Sequence, residues 1–511
     1  MSASMEIKIE KNESWYGGLV DFSSLMPFTD RSDANIDVTY NKSLYNQTNP
    51  MLISSSGRYV YAEKYFALNV SGGVMKITSP GDIDFGEKTS FREAYEYLMK
   101  RYFPFSGQCP DKRLFTAPQY CTWMALGEKQ TQADVIGFAE RIVKAGLLSG
   151  LIVIDDSWTD HVGQYSFSTA RFPDPKKMCD RLRELGFFVS LWVTPYVSPD
   201  SETFRELDKE GLLIRKDGEA FITHWWKGYS ACIDFTNPSA REWVRAKIDF
   251  LKERYGIEFM KFDGGDPRLY EDGLQAFSPE GNTAHGLSEA YGMFAAEYPG
   301  SEIRSTSKCG GLPIVSRIAD RYHCWEDLKN GFSGIVKKAI VMSVSGYPYC
   351  CPDMVGGGQY EDIENGLKED EELNIRYMEA TTFMPCIQFS KPIWEFTERT
   401  GEVVRKMLKI REKYSAYIEE LAENCAKTGE PIIAPVAFCG DSFFSFEDEF
   451  LLGDKILAAP VMKKGVTERE VYLPKGVWEY APDGKKFDGG RTVKVAAPLD
   501  TLPYFIKISE E

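Results

Sequence analysis

The chain has 511 residues, a net charge of −16, and a composition that is 43% hydrophobic and 14% aromatic. Its length exceeds what one hydrophobic core usually supports, so we expect two to four domains. The excess of acidic residues argues against nucleic acid or an anionic membrane surface as a partner, because both are negatively charged. The composition therefore predicts a soluble globular protein with large cores.

The cysteines and histidines indicate neither a disulfide framework nor a metal site. The four histidines, at positions 161, 224, 285 and 323, lack helical metal-binding spacing, so we expect no metal and no other cofactor. No apolar run could span a bilayer, and the N-terminus lacks the apolar core of a signal peptide, so we expect a cytoplasmic protein without a membrane partner. Five of the eleven cysteines lie in apolar runs and should be reduced and buried: Cys121, Cys232, Cys350, Cys351 and Cys386.

Residues 1–112 predict a β-rich N-terminal domain. They are rich in Gly, Ser, Asn and β-branched residues, with short strand-like runs at 52–54 and at Arg58–Ala62. A helix over about 90–101 leads out of this domain.

Residues 113–398 change to an alternation of strands and helices. The clearest helices are predicted over 131–145, 176–185 and 239–254. Eight strands over about 280 residues match the length of a (β/α)8 barrel, although a doubly wound parallel sheet is an alternative. The predicted strands are 115–123, 151–156, 188–196, 257–263, 302–308, 318–323, 347–354 and 383–389.

Residues 399–511 predict a charged helix over about 401–420 and then a return to short strands. These strands are expected at 443–446, 455–461, 469–474 and 492–495, in a β-sandwich region. The predicted fold is thus α/β: a (β/α)8 TIM barrel flanked by an N-terminal β-sandwich and a C-terminal β-sandwich region.

The segment KFDGGD at 261–266 is the most informative motif. It ends a buried strand that follows a helix with Asn237 as its predicted N-cap and Gly256 as its predicted end. Side chains alternate along a strand, so Lys261 and Asp263 share one face, which in a closed barrel is the interior. The alternative is a surface Asp in a turn. Asp266 lies past both glycines and is expected to be a loop residue or a distant subsite contact.

Polar side chains recur at the ends of the predicted barrel strands. Buried carboxylates are costly unless they are paired or functional, so several on one rim need a common reason. Glycoside hydrolysis is one, because it uses two carboxyl groups, of which one must keep a proton at neutral pH. The other charged groups could bind sugar hydroxyls, and tryptophans could pack against a sugar ring or belong to the core. The strand-end residues are Asp155, Asp156, Trp192, Lys261, Asp263, Arg304, Asp320, Asp353 and Gln388.

Several motifs, in order, resemble glycoside hydrolase family 31. They are IDDSW at 154–158, LWVTPY at 191–196, KFD at 261–263, GYPYCCPDMVGG at 346–357 and LGDKILAAPV at 452–461. The resemblance spans about 390 residues and implies a retaining, exo-acting α-glycosidase. Asp263 stands where the family carries its nucleophile.

The resemblance offers two candidates for the acid/base, Asp320 and Asp327. In the family an Asp precedes a Trp by five residues, and Asp320 precedes Trp325 by five. We therefore assign the acid/base to Asp320, and expect Asp327 on the following helix.

Within the family, the chain is most similar to the myogenesis-regulating glycosidase branch. The residues Gln388, Phe389 and Ser390 stand where α-glucosidases carry Arg-Asn-His-Asn, whose His holds a glucose hydroxyl. Because that His is absent, the resemblance implies an α-galactosidase, with an α-glucosidase, α-xylosidase or sulfoquinovosidase as the alternatives. The partner is then a small carbohydrate, and the chain could form a homo-oligomer. Of the two adjacent acids we favour Asp156 for direct sugar contact. The resemblance implies these substrate-binding residues: Asp155, Asp156, Trp192, Lys261, Arg304, Trp325, Asp353 and Gln388.

Two hypotheses from other classes remain. Lys261 could form a Schiff base, as in a class I aldolase, although the neighbouring Asp263 favours a charged ammonium over a nucleophilic amine. The chain could also be a non-catalytic sugar-binding protein.

Overall fold

The computed structural model describes residues 2–39, 44–439 and 448–509. The N-terminal domain is a pair of four-stranded antiparallel sheets, followed by the helix Phe91–Tyr102 with Ser90 as its N-cap, close to the prediction. In spatial order, one sheet contains Ala3–Lys8, Val74–Ser79, Ala67–Ser71 and Ala34–Asp37, and the other contains Trp15–Leu19, Thr48–Ser54, Arg58–Ala62 and Ile83–Glu87.

The middle of the chain forms a closed barrel of eight parallel strands. Gln388 in the last strand pairs with Gln119 in the first, so the sheet has no edge and the doubly wound alternative is wrong. The seventh strand is interrupted at Asp353, whose φ of +70° turns the backbone. The barrel strands are Gln119–Cys121, Leu151–Ile154, Phe188–Val193, Phe259–Phe262, Glu302–Ile303, Val315–Arg317, Cys350–Cys351 with Met354–Val355, and Gln388–Phe389.

The described α-helices pack mainly around the barrel. Thr131 caps the helix Gln132–Lys144 through a capping box, and Asn237 caps Pro238–Tyr255, which ends at Gly256 in the left-handed conformation. The predicted helix 401–420 is instead two helices that meet at Tyr414. The α-helices beyond the N-terminal domain are Arg113–Thr116, Trp123–Leu126, Gln132–Lys144, Pro175–Glu184, Glu202–Lys209, Pro238–Tyr255, Ala284–Ala295, Ile335–Val344, Tyr360–Glu364, Glu371–Thr381, Glu398–Lys413 and Ser415–Thr428.

Further β-structures complete the fold, among them the two-stranded sheet Arg215–Lys216 with Glu219–Ala220. The hairpin Ile222–Trp225 and Gly228–Cys232 lies between the third and fourth barrel strands and pairs with Tyr196–Val197. The C-terminal region contains a two-stranded sheet, Glu468–Leu473 with Arg491–Ala496, and a six-stranded sheet. In spatial order the six strands are Ile433–Ala434, Phe450–Leu452, Ile456–Ala458, Tyr504–Ser509, Val477–Tyr480 and Lys485–Asp488. The predicted strand 443–446 lies outside the described residues.

The fifth and sixth barrel strands differ from the prediction because the N-terminal domain takes their hydrogen bonds. After Ile303 the chain leaves the barrel, and the Thr306 carbonyl accepts the Thr48 N–H at 2.9 Å. The sixth strand ends at Arg317, and the Ala319 N–H donates to Asn46 Oδ1 at 2.7 Å. Asp320, predicted within a strand, therefore lies in the loop beyond it.

Gln47 fixes both of these strand ends. Its buried Nε2 donates to the Arg304 carbonyl at 2.9 Å, the Arg317 carbonyl at 3.0 Å and the Ile303 carbonyl at 3.4 Å. The segment that contains Asn46 and Gln47 thus fixes the backbone at Arg304 and Arg317, where the fifth and sixth strands end. The five cysteines predicted to be buried are buried, and within the described residues no helix is long and apolar enough to cross a bilayer.

Replacing Gln47 by Leu should lower the thermal unfolding midpoint by about 2 °C. The change removes the donor to three buried carbonyls and should cost about 2 kcal/mol. Differential scanning calorimetry measures the shift. The exposed Gln108, changed to Leu, is the matched control, and an equal effect of both variants would contradict the role of Gln47.

Candidate active site

A cavity of about 630 Å³ opens at the carboxyl ends of the barrel strands. That volume suits a small ligand, and this end of a (β/α)8 barrel is where its active sites form. Five of the residues predicted from the sequence line it: Asp155, Lys261, Asp263, Arg304 and Asp320.

Asp263 follows the fourth barrel strand directly, and three donors hold its carboxylate. Arg304 Nε lies 2.5 Å from Oδ1, the Gly264 N–H donates to Oδ1 at 2.9 Å, and Trp192 Nε1 donates to Oδ2 at 3.0 Å. Burial by itself would raise the pKa of Asp263, but the charges of Arg304, Arg317 and Lys261 outweigh it and hold that pKa well below the usual range. Asp263 is therefore an ionised, oriented carboxylate.

Arg304 is itself clamped by Asp266. Arg304 Nη1 and Nη2 donate to the two Asp266 oxygens at 2.7 and 2.9 Å, a bidentate pair that fixes the guanidinium plane. Asp266 has no exposed surface. Asp266 lies in the loop after the fourth barrel strand, as expected, and the two left-handed glycines, Gly264 and Gly265, bring its carboxylate against Arg304.

Lys261 pairs with Asp155 on the opposite side of Asp263. Its Nζ lies 2.6 Å from Asp155 Oδ2, which also accepts the Cys121 thiol at 2.9 Å. Burial alone would lower the pKa of Lys261, yet the Asp155 charge reverses this and raises it. An ammonium held in this way disfavours Schiff-base chemistry at Lys261.

Asp320 is partly exposed, with 39% of its side chain accessible. Its Oδ1 accepts Arg317 Nη1 at 2.6 Å, and the same nitrogen donates to Asp353 Oδ1 at 2.9 Å. Arg317 Nε lies 3.0 Å from Glu302 Oε1, so one buried guanidinium faces three acids. Burial raises the pKa of Asp353 to about 6, against the lowering effect of Arg317.

The other residues predicted to bind substrate are not among the lining residues. Asp353 and Gln388 have no exposed surface. Gln388 Nε2 donates to Gln119 Oε1 at 3.0 Å and to Glu302 Oε2 at 2.9 Å. Trp192 reaches the site through its bond to Asp263. Gln388 and Asp353 therefore contact the site through Glu302 and Arg317.

Asp156 and Trp325 also point elsewhere. Asp156 Oδ2 lies 2.9 Å from Lys227 Nζ, and burial raises the pKa of Asp156 to about 6. Asp155, rather than the favoured Asp156, is on the cavity wall. Trp325 Nε1 donates to Asp370 Oδ2 at 3.0 Å, so the indole N–H already has a hydrogen-bond partner within the protein.

Sequence reasoning missed the contribution of the N-terminal domain to the cavity. Asp21 and Tyr45 line it, and Asp21 accepts the N–H groups of Tyr45 and Asn46, both at 3.0 Å. The Arg268 guanidinium lies 4.1 Å from the Tyr45 ring centre, a cation–π contact. No local pattern in residues 20–46 reveals that they reach the barrel.

An aromatic rim forms the mouth of the cavity. Trp123 and Tyr360 each begin a short helix and Trp226 lies in a hairpin turn. The ring centre of Trp123 is 5.5 Å from that of Trp226 and 4.9 Å from that of Tyr360, and all three residues line the cavity. Trp226 is 49% exposed at the tip of the hairpin. Within the residues that the structure describes, no cluster of His, Cys, Asp or Glu is placed to hold a metal ion.

Family models match most of the chain. Residues 116–421 match the glycosyl hydrolases family 31 TIM-barrel domain, and residues 429–509 match the family 31 C-terminal domain. This chain belongs to glycoside hydrolase family 31. The predicted family and barrel fold are confirmed.

Individual relatives of this family 31 chain are consistent with that result. It is 31% identical over 424 residues to the myogenesis-regulating glycosidase of Mus musculus, covering 80% of this chain and 59% of the relative. It is 27% identical over 415 residues to alpha-glucosidase 2 of Bacillus thermoamyloliquefaciens, covering 74% of this chain and 51% of the relative. The chain thus spans between half and two thirds of the length of these relatives.

Solved family 31 structures share the fold. A Flavobacterium johnsoniae GH31 dextranase complexed with glucose aligns with a TM-score of 0.83 at 18% identity, covering 99% of this chain and 66% of that one. A GH31 alpha-xylosidase from a soil metagenome, complexed with xylose, also gives 0.83, at 19% identity, covering 99% and 79%.

We expect Lys261 to resist reductive trapping. With sodium borohydride and pyruvate or dihydroxyacetone phosphate, the peptide that contains Lys261 should keep its mass, because the paired ammonium is not nucleophilic. Peptide mass mapping measures this, with the exposed cavity residue Lys329 as the internal control. A reduced adduct at Lys261 that exceeds the one at Lys329 would restore the aldolase hypothesis.

Proposed function

We propose that this protein is a retaining, exo-acting α-glycosidase that prefers terminal α-galactosides. The observation that carries the proposal is the pairing of two different acids in one cavity: Asp263 is ionised and oriented with 13% of its side chain accessible, whereas 39% of the Asp320 side chain is accessible. A retaining glycosidase needs one group of each kind.

Asp263 is the proposed nucleophile. It attacks the anomeric carbon and forms a covalent ester, while Asp320 donates its proton to the departing oxygen. Water then enters, Asp320 removes its proton, and the hydroxyl oxygen displaces Asp263. Arg304 and Trp192 hold the Asp263 carboxylate in position for the attack.

The charged floor of the cavity suits a single terminal sugar. Asp155 and Lys261 form an ion pair whose oxygens and N–H groups can exchange hydrogen bonds with sugar hydroxyls, and Arg304 can donate on the other side. The barrel interior below them is filled by side chains, which supports removal of one end unit at a time.

The aromatic rim suits the leaving group. The rings of Trp123, Trp226 and Tyr360 stand at the mouth, on the solvent side of the charged floor. A sugar or aryl ring released by Asp320 could pack against these faces.

The galactoside preference rests on resemblance to the myogenesis-regulating glycosidase branch, and on the segment 388–390, which lacks the glucose-binding His of α-glucosidases. Because Gln388 is bonded to Gln119 and Glu302, it would influence specificity through Glu302 and Arg317 rather than by touching the sugar.

A panel of 4-nitrophenyl α-glycosides tests the sugar specificity. We expect the α-galactoside to have the highest kcat/KM, above the α-glucoside, α-xyloside and α-sulfoquinovoside. A higher value for any of the other three would reassign the specificity. Galactose binding by calorimetry without turnover of any glycoside would favour a sugar-binding protein.

Removing the nucleophile should abolish turnover. Asp263→Ala should lower kcat on the aryl α-galactoside by at least 10³-fold, because no covalent intermediate can form. Asp272→Ala, an exposed acid nearby, is the control. Asp263→Ala activity close to that of the control would contradict the assignment.

Removing the acid/base should have a different signature. Asp320→Ala should retain a fast first step with a dinitrophenyl leaving group, which needs little proton donation, and azide should accelerate the second step by replacing water. Product analysis by NMR should detect α-galactosyl azide, the retained anomer. Asp327→Ala is the matched comparison, and azide rescue there instead would move the acid/base to Asp327.

A further inference from the structure

We propose that Asp353 is a positioning residue: by sharing Arg317 with Asp320, it keeps the Asp320 carboxyl able to carry the proton that it donates. This inference rests on the proposed role of Asp320 as the acid/base.

The geometry joins the two acids through one nitrogen atom. Arg317 Nη1 donates to Asp320 Oδ1 at 2.6 Å, to Asp353 Oδ1 at 2.9 Å and to the Ile318 carbonyl at 3.1 Å. Two carboxylates bound to one nitrogen are close enough for their charges to repel each other. Arg317 therefore cannot serve Asp320 alone.

The two acids differ in how firmly they are held. Asp353 has no exposed surface, and its Oδ2 accepts the Arg321 N–H at 2.9 Å. Asp320 has no other hydrogen bond among the contacts of the described residues, and faces the cavity. Asp353 is thus the fixed partner of Arg317, and Asp320 is the one that can move and exchange a proton.

The surrounding charges come from several strands. Glu302 on the fifth strand faces Arg317 Nε at 3.0 Å, and Asp263 and Arg304 lie within electrostatic range of the Arg317 and Asp320 pair. On the other side, Asp353 faces Arg321 and Tyr377. The groups to consider around the pair are therefore Asp263, Glu302, Arg304, Arg321 and Tyr377.

A lone guanidinium beside Asp320 would work against general acid catalysis. An Arg within hydrogen-bond distance favours the ionised form of an Asp and lowers its pKa, so that little acid remains at neutral pH. Asp353 opposes this in two ways: it occupies the same Arg317 nitrogen, and its negative charge repels an ionised Asp320. The inference thus gives Asp353 an electrostatic role without substrate contact.

The test is the pH dependence of kcat/KM for Asp353→Asn. Removing the Asp353 charge removes a repulsion that opposes ionisation of Asp320, so the basic limb of kcat/KM should move to lower pH. Asn suits the left-handed backbone at this position and can still accept the Arg321 N–H. The shift should be clear with an α-galactosyl disaccharide and smaller with a dinitrophenyl α-galactoside, which depends less on the acid.

A second variant allows the test even if the Asp353→Asn protein does not fold. Glu302→Gln removes another negative charge from Arg317 and should move the basic limb in the same direction. Asp272→Asn, in an exposed loop, should leave the limb in place.

The outcomes separate this inference from the proposed function. If Asp320→Ala is rescued by azide but both Asp353→Asn and Glu302→Gln keep the wild-type basic limb, the inference is wrong and the function stands. Uniform loss of activity at every pH, with a lower unfolding midpoint, would show a merely structural role and also overturn it. If azide does not rescue Asp320→Ala, the assignment of Asp320 itself fails.

Discussion

The site depends on how three cations are divided among a larger number of buried acids. Lys261 holds Asp155, Arg304 holds Asp263 and Asp266, and Arg317 holds Glu302, Asp320 and Asp353. A buried carboxylate without a partner would take up a proton, so each pairing decides which acid stays ionised. Asp263 has three donors and a pKa held well below the usual range, whereas Asp353 and Asp320 share one nitrogen of Arg317.

This pairing of charges depends on the N-terminal domain, which forms hydrogen bonds with the ends of two barrel strands. The side chains of Asn46 and Gln47 form hydrogen bonds with backbone groups at the ends of the fifth and sixth strands. The chain can therefore leave the sheet immediately after Ile303 and Arg317 and direct Arg304, Arg317 and Asp320 toward the cavity. The flanking domain is thus part of the site, through Asp21 and Tyr45 as well as through the strand ends.

The sequence predicted an element correctly where the cap, the apolar face and the terminating residue all lie within that element. The helix that starts after Asn237 and stops at Gly256 carries its own cap, apolar face and terminator, and the structure reproduces all three. The fifth strand was predicted too long and the sixth was displaced, because the hydrogen bonds of Thr306 and Ala319 go to the N-terminal domain, which the local sequence does not indicate. Likewise, the two glycines after Asp263 suggested an exit from the site, yet their left-handed conformations bring Asp266 back under Arg304.

The sequence by itself determined the family, the barrel with its flanking β-domains, and the convergence of acids on one rim, because each is written in short motifs and in their order. The tertiary structure alone decided which acid pairs with which base, which predicted residues reach the cavity, and that residues near position 46 meet those near 319. Such pairings join residues up to 273 positions apart. Charge interactions depend on distance and burial in space, and neither is encoded by spacing along the chain.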